Sequence, residues 1–533
     1  MVGPNADLAC HVVTDCKSGS ATETAVRPRG TRATARGGLA GMAGSALAGG
    51  TGVAVTWIAA RALGAEQAGA FFAATAAFVL AGGLAKLGTQ TGLVYWPARL
   101  RATGREHLLG SCLRTGLTPV LVLSGVLAVA TWFSAPEIAR LTAAGSPHVV
   151  AEHAAGLRVL AVFLPLQALA DAMLTATRGY RSMRPTVMLD RVLRSTLQLL
   201  LVGAVGLTAV LLSPSPDRLS AFAMAWAAPS LPVAVLAAYA LRRTYRQGRP
   251  PGIRSRRIER RGLRRDFWRF TGPRAFASVA QLALQRVDVL LVAALAGLAP
   301  AAVYAVAGRF VVLIQFANQG VSQAVQPRLA EALATGDRAT ANHLYQTATG
   351  WLVLVTWPIN LLVILFAPVY LGLFGDTYRA GVPVVVVLAG AMLVATGCGM
   401  VDMVLAMAGR TTWNLVNVLS ALAVTIGLDL LLIPAYGALG AAAGLACAMV
   451  VNNVLPLIQV AHTARLHPFG GGTCAAALLS VGCFGVLPWG VTALTGTGAA
   501  GLSVALALAL PIFGFGAWLW RGHLALDAFT RRR

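Results

Sequence analysis

Residues 381–407 read GVPVVVVLAGAMLVATGCGMVDMVLAM, a run that holds one charge, Asp402. As an α-helix rising 1.5 Å per residue, the run reaches about 40 Å. A bilayer's hydrocarbon core is roughly 30 Å thick, so the run crosses it with residues to spare. Apolar runs of similar length recur along the chain. The expected spans are 39–60, 68–94, 109–133, 153–176, 186–211, 220–241, 272–297, 301–325, 347–370, 381–407, 412–434, 438–461, 472–495 and 499–520. The fold class that follows is an all-α polytopic membrane protein with about 14 transmembrane helices. Pro119, Pro165, Pro232, Pro273 and Pro358 fall inside spans. In a membrane bundle, neighbouring helices satisfy the carbonyls that proline frees, so kinks are expected there rather than helix ends.

Composition agrees. Of 533 residues, 57% are hydrophobic and only 12% are charged, and the mean hydropathy is +0.70. Soluble domains carry roughly 25% charged residues, so this chain could not coat a water-facing surface. A soluble enzyme, a disordered protein and a fibrous repeat are excluded. The formal net charge of +24 therefore speaks first of membrane orientation, and no nucleic-acid partner is expected. Residues 1–37 are rich in Thr, Arg, Gly and Ser and lack the apolar stretch of a secretory signal. They are expected to form a disordered cytoplasmic tail. The seven cysteines are scattered, mostly in apolar runs, and read as small hydrophobic side chains. Only Cys10-His11 with Cys16 has any ligand character, and no metal or cofactor is expected.

With the N-terminus inside, thirty-one of the 43 Lys and Arg fall on the cytoplasmic side. Four fall outside, Arg61, Arg140, Arg218 and Arg379, and eight lie within spans. Positive charge is retained in the cytoplasm, so both termini are expected inside a plasma membrane. Twelve arginines crowd between Arg242 and Arg269. This segment holds the midpoint of the chain inside and touches anionic lipid heads, or else gathers an anionic substrate. It also parts the first twelve helices into two sixes. Sliding the second half by 233 positions brings Gly64 onto Gly297, Phe71 onto Tyr304, Ala74 onto Ala307, Thr89 onto Ser322 and Gln90 onto Gln323. Two pseudo-symmetric lobes related by an axis along the membrane normal follow. The expected domains are the tail, an N-lobe at 38–241, an Arg-rich cytoplasmic loop at 242–271, a C-lobe at 272–465, and residues 466–533 with helices 13 and 14 and a short cytoplasmic end.

HExxH, GxSxG and P-loop signatures are absent. A GxGxxG at Gly496, Gly498 and Gly501 joins two membrane helices and reads as a turn. The informative residues are polar groups inside spans, because each is costly in lipid unless it faces a partner or a wet cavity. Arg274, Ser278, Gln281, Gln285 and Asp288 recur at helical spacing and stack on one face of the seventh helix. Gln315, Asn318, Gln319, Ser322 and Gln323, with Arg309, answer from the eighth. Arg286 and Arg309 lie roughly 12–17 Å below the outer surface by helical rise. Asp288 is level with them and is expected to pair with Arg309, either as a contact holding helices together or as part of a substrate site. Lys86 and Gln90 contribute from the second helix, where Lys86 is also placed to snorkel to the interface. Asp402 and Asp429 are isolated acids that either bind a driving cation, H+ or Na+, or make internal hydrogen bonds. Cations outnumber acids within spans. Such a cavity suits an anion, since arginine meets phosphate oxygens bidentately and amides meet sugar hydroxyls.

The stretch IAARALGAEQAGAFFAATAAFVL (58–80) resembles the opening of bacterial polysaccharide flippases of the multidrug/oligosaccharidyl-lipid/polysaccharide exporter superfamily. Their Arg-x-Leu-Gly-x-Glu-x-x-Gly-x-Phe pattern is met by Arg61, Leu63, Gly64, Glu66, Gly69 and Phe71. QRVDVLLVAALAGLAPAAVYAVAGRF (285–310) resembles the family's second lobe through Asp288, Tyr304 and Ala307, although Ala302 replaces the expected Gly. QPRLAEALATGDRATANHLY (326–345) resembles the connection that follows. The resemblance implies a non-enzymatic transporter that moves a polyprenyl-pyrophosphate-linked saccharide from the inner to the outer leaflet by alternating access. Its lipid II flippase branch has a cationic cavity, for which Arg274, Arg286 and Arg309 are candidates. A cation-coupled multidrug exporter of the same fold is the nearest alternative, and a membrane-embedded glycan polymerase or glycosyltransferase is the other.

The charge split sets a topology that labelling checks. In a cysteine-free background, a cysteine replacing Ser255 should resist an impermeant maleimide on intact cells, and one replacing Ser215 should react. The reverse pattern would overturn the orientation.

Overall fold

The computed structural model describes residues 31–143, 146–180, 182–211, 217–247 and 257–525, and among these every regular element is helical. In chain order the first half contains α1 (Thr31–Ala85), α2 (Thr89–Ala102), α3 (Leu109–Thr142), α4 (Val150–Gly179), α5 (Ser195–Leu211), α6 (Arg218–Ala227) and α7 (Ser230–Gln247). The second contains α8 (Arg257–Leu295), α9 (Leu298–Ala307), α10 (Val311–Ala334), α11 (Arg338–Leu365), α12 (Ala367–Gly372), α13 (Val382–Gly397), α14 (Val401–Met407), α15 (Thr411–Tyr436) and α16 (Ala438–Thr463). α17 (Gly471–Val481), α18 (Leu487–Thr495) and α19 (Ala499–Leu519) follow.

Thirteen segments of the described residues are long and apolar enough to cross a membrane. The first, Gly44–Ala102, bends at Gly64 and joins what the apolar pattern separates as spans one and two. The thirteen segments therefore carry the expected fourteen passes. Within α1 to α7 and within α8 to α16 the helices pack on one another, the two halves meet along α1 against α8 and α9, α17 and α18 lie against α11, and α19 packs on α17 and α18. This is a two-lobed bundle with an appended pair.

Pro119, Pro165, Pro273 and Pro358 lie inside continuous helices, as the membrane argument requires. Pro232 instead follows a break between α6 and α7. The stretch at 242–271 is largely helix rather than loop. α7 runs on to Gln247 and α8 begins at Arg257, so only 248–256 lie outside the described residues. Arginine is a good helix former, and a helix can carry it well beyond the hydrocarbon. The expected tail lies outside the described residues as far as residue 30, and α1 already begins at Thr31. The tenth span is split, α13 ending at Gly397 and α14 beginning at Val401, and the Tyr345 hydroxyl donates to the freed Cys398 carbonyl at 2.6 Å.

The offset of 233 has a backbone counterpart. Gly64 has φ 76° and ψ 174°, and Gly297 has φ 99° and ψ 175°. Each sits at the turn between the first two passes of its lobe. That region of φ/ψ space is essentially closed to residues with a Cβ. The aligned Phe71 and Tyr304 are both buried, as are Ala74 and Ala307, and all but Ala74 lie in one core cluster shared by the lobes.

A Cβ at Gly64 or Gly297 would meet no atom within 4 Å, so alanine there adds backbone strain without a clash. Each alanine variant should lose about 1–3 kcal/mol of stability, read as a lower unfolding midpoint in detergent. Unchanged midpoints in both would mean these turns relax freely.

Candidate functional site

The C-lobe encloses a cavity of about 320 Å3 between α8, the α9–α10 junction, α13 and α16. Gln281, Gln285, Arg286 and Asp288 reach it from α8, Arg309 from the short turn Gly308–Phe310, and Gln315 from α10. Asn452 and Asn453 line it from α16. Helical spacing brings the α8 residues to this wall, and the seven-residue separation of Gln281 from Asp288 is two turns.

Arg286 and Arg309 are half-buried and lie close enough to repel one another. Neither has an ion pair or hydrogen bond among the described residues, and both leave a buried Nε unpartnered. Arg309 rests 5.8 Å from the centroid of Phe72, a ring of the other lobe. Asp288 does not pair with Arg309 as the sequence suggested. It is buried, and its Oδ2 accepts from the Tyr304 hydroxyl at 2.7 Å. Two turns of helix after the Gly297 bend carry Tyr304 back against α8, which fixes this bond and leaves the guanidinium free. Asp288 Oδ1 remains unpartnered.

Asp429 on α15 lies within electrostatic range of Asp288 and is fully buried, with both carboxylate oxygens unpartnered. Thr425, one turn earlier, also has a buried, unpartnered hydroxyl. Gly444 on α16 presses against the Asp429 carboxylate so closely that no Cβ would fit. Three orphaned carboxylate oxygens and a hydroxyl form a set of hard oxygen donors suited to a proton or a small hard cation. No cluster of three or more His, Cys, Asp or Glu that would hold a metal occurs among the described residues.

Other residues singled out from the sequence fall elsewhere. Arg274 is exposed in the first half of α8, over the Phe270 ring, and lines a different pocket. Asp402 is exposed on α14, where only its backbone carbonyl is engaged, by Asn414 Nδ2 at 3.0 Å. Gln90 and Gln319 are exposed and do not line the cavity, and the Gln323 side chain lies outside the described residues. Lys86 pairs with Asp171 at 3.1 Å instead of facing the cavity. Arg194 binds the other Asp171 oxygen at 2.9 Å and Asp190 at 2.9 Å, closing a half-buried network in the N-lobe. Asp190 and Arg194 lie in the π-helical turn Thr186–Arg194, and spacing alone does not reveal that network. Asn452 and Asn453 were readable in principle, as adjacent amides interrupting an apolar run.

Residues 38–333 match the family model described as Polysaccharide biosynthesis protein, and residues 273–434 match the MatE model. No curated protein matches the chain. Among solved structures, the lipid II flippase MurJ in an inward closed conformation is similar at 14% identity, covering 92% of this chain and 99% of that one, with a TM-score of 0.67. An inward-facing multidrug resistance MATE family transporter of the MOP superfamily is similar at 16% identity, covering 80% of this chain and 94% of that one, TM-score 0.61. A MOP superfamily transporter from Pyrococcus furiosus, whose binding pocket is described as reversed in polarity, is similar at 19% identity over 81% of this chain and 95% of that one, TM-score 0.53. The fold is that of these transporters. Since the first model spans more than half of it, the chain belongs to the polysaccharide biosynthesis protein family.

Asp171 neutralises two cations at once, so its loss is worse than the loss of either. Asp171→Ala should cost about 3–5 kcal/mol, because it leaves Lys86 and Arg194 without this shared counter-charge. Lys86→Met should cost less, since Arg194 still holds the carboxylate. Detergent unfolding midpoints check the order, and equal midpoints would dismiss the network as a stabilising unit.

Proposed function

We propose that this member of the polysaccharide biosynthesis protein family flips a polyprenyl-pyrophosphate-linked saccharide from the inner to the outer leaflet by alternating access. It works as a transporter without a catalytic step, in a plasma membrane with both termini cytoplasmic. The observation that carries this reading is the pair Arg286 and Arg309, two guanidiniums without a counter-ion on one cavity wall. In such a site a pyrophosphate supplies the missing negative charge and accepts bidentate hydrogen bonds. Gln281, Gln285, Asn452 and Asn453 offer donors and acceptors that match sugar hydroxyls. The polyprenyl tail stays in lipid while the head group traverses the space between the lobes. A drug exporter for cationic compounds would need the opposite sign of wall, and Asp288 alone, already held by Tyr304, does not supply it.

Asp288, Asp429 and Thr425 form the coupling site in this reading, taking H+ or Na+ close behind the cavity wall. Cation loading there relieves the repulsion between two buried carboxylates and so favours tighter closure of α15 on α8. Asp402 has no part in it.

The assay is transfer of a labelled lipid-linked oligosaccharide in proteoliposomes, with folded yield measured in parallel. Arg286→Ala and Arg309→Ala should each fold and insert but slow transfer by about ten- to a hundredfold, the loss of a hydrogen bond to a charged group worth about 1.5–3 kcal/mol. Arg→Lys at either position should recover part of it, since an ammonium lacks the planar fork. Asp429→Asn should remove the dependence of the rate on a cation gradient. Full transfer by both alanine variants would overturn the assignment of the cavity.

A further inference from the structure

At the cytoplasmic ends of the two lobes, α2 and α8 enclose a second pocket of about 460 Å3 that the transport reading leaves unused. Arg99 on α2 and Arg105 in the turn after it line one side, and Arg269 and Arg274 on α8 line the other. Asp266 is the one carboxylate among the lining residues. None of these five groups forms an ion pair among the described residues. Arg99 donates to the Tyr95 hydroxyl at 3.0 Å and Arg274 to the Phe270 carbonyl at 2.8 Å, both uncharged acceptors.

The aromatic wall sets the geometry. Tyr95 of α2 stacks on Phe270 of α8, ring centroids 4.3 Å apart and planes 17° apart, which clasps the two helices. Arg274 lies 3.9 Å from the Phe270 centroid, and Arg99 lies 5.3 Å from the Trp96 ring. Guanidiniums resting on ring faces keep their planes oriented and their outer N–H groups free. Below the clasp, Gly88 and Gly92 leave no room for a Cβ against Ala275, Thr271 and Phe267, so the helices touch backbone to side chain.

Depth names the layer. Arg274 lies twenty-one residues before Leu295, the outer end of α8. At 1.5 Å per residue that is about 32 Å, the thickness of the hydrocarbon. The pocket therefore opens among the cytoplasmic head groups, where phosphate is the abundant anion.

We propose that this pocket binds a phosphate group at the cytoplasmic head-group layer, gripped at once by arginines of α2 and α8. The excess of three positive charges among its lining residues calls for an anion, and the planar forks suit one with several oxygens. A phosphate held there ties the N-lobe to the C-lobe on the cytoplasmic side. The site stands whatever cargo the central cavity carries. Its phosphate comes either from an anionic phospholipid or from a soluble pyrophosphate.

The test uses the full chain in a phosphate-free maltoside detergent, in an R286A/R309A background so that the central cavity cannot contribute. Inorganic pyrophosphate and a short-chain phosphatidylglycerol are titrated separately by calorimetry. At least one should bind, and R99A/R269A should weaken it about tenfold per guanidinium removed, about 1.4 kcal/mol each. R99K/R269K should fall between. R242A/R243A, two exposed arginines on α7, should bind as the background does. Binding of phosphatidylglycerol alone assigns the lipid as the source, and binding of pyrophosphate alone or of both admits the soluble anion. Binding of neither probe, or equal binding by R99A/R269A with folding verified by gel filtration, overturns the proposal.

Discussion

A guanidinium at membrane depth costs at least about 2.5–3.5 kcal/mol on insertion scales unless water or an anion meets it. Arg286 and Arg309 carry that cost without a protein counter-ion, and much of the C-lobe is arranged to make it tolerable. α8 turns its polar face inward, the bend at Gly297 returns the chain so that Arg309 stands near Arg286, and α16 brings two asparagines. Tyr304 occupies the nearby carboxylate. Were Asp288 free to swing to Arg309, the pair would neutralise itself and the cavity would lose its appetite for an anion. The single hydroxyl bond thus keeps the wall cationic.

Alternating access needs a seam that opens at one end while holding at the other, and the contacts between lobes are of the kind that permits this. At one end, Gly69 packs on the backbone of Leu298, and Trp57 Nε1 and Arg61 Nε donate to the Leu373 carbonyl at 2.8 and 2.9 Å. At the other, Gly88 and Gly92 pack on α8 near the Tyr95–Phe270 stack. Glycine contacts of this sort approach closely through shape, with no charge to desolvate when they part. The Leu373 carbonyl can accept from water when the gap opens, so separation costs little hydrogen bonding.

The transmembrane passes were legible because the hydrocarbon imposes one length on every helix and tolerates few charges within it. The polar face of α8 was legible for the same reason, since no stripe from Gln281 to Asp288 can look at lipid. Gly64 and Gly297 could be matched because a bend with positive φ between two passes admits little else. What failed to show was pairing. A lone charge in a span looks alike whether its partner comes from another helix, as Asp171 does for Lys86, or is missing, as for Arg309. Tertiary neighbours decide that, and helix spacing holds no information about them. Nor does apolar length mark where α2 and α8 run on past the membrane, because arginine-rich helix and arginine-rich loop have the same composition. Arg274 was therefore assigned to the wrong pocket.

The two lobes share a bend at Gly64 and Gly297 and differ in how they treat charge. In the N-lobe, Lys86, Arg194, Asp171 and Asp190 close on themselves, helped by the π-helical turn that puts Asp190 beside Arg194. Two cations and two carboxylates balance there, and the worth of the network is rigidity. The C-lobe leaves its signs unpaired instead: Arg286 and Arg309 stand on the cavity wall, where a tyrosine hydroxyl engages Asp288, and Asp429 lies buried against Gly444. Charge separated in a medium of low permittivity is under tension. It relaxes only if something arrives from outside, an anion at the front or a cation at the back. Because the same α8 carries Arg286 and Asp288, an anion at the one would change the field felt by a cation at the other, which is the minimum that the proposed coupling requires.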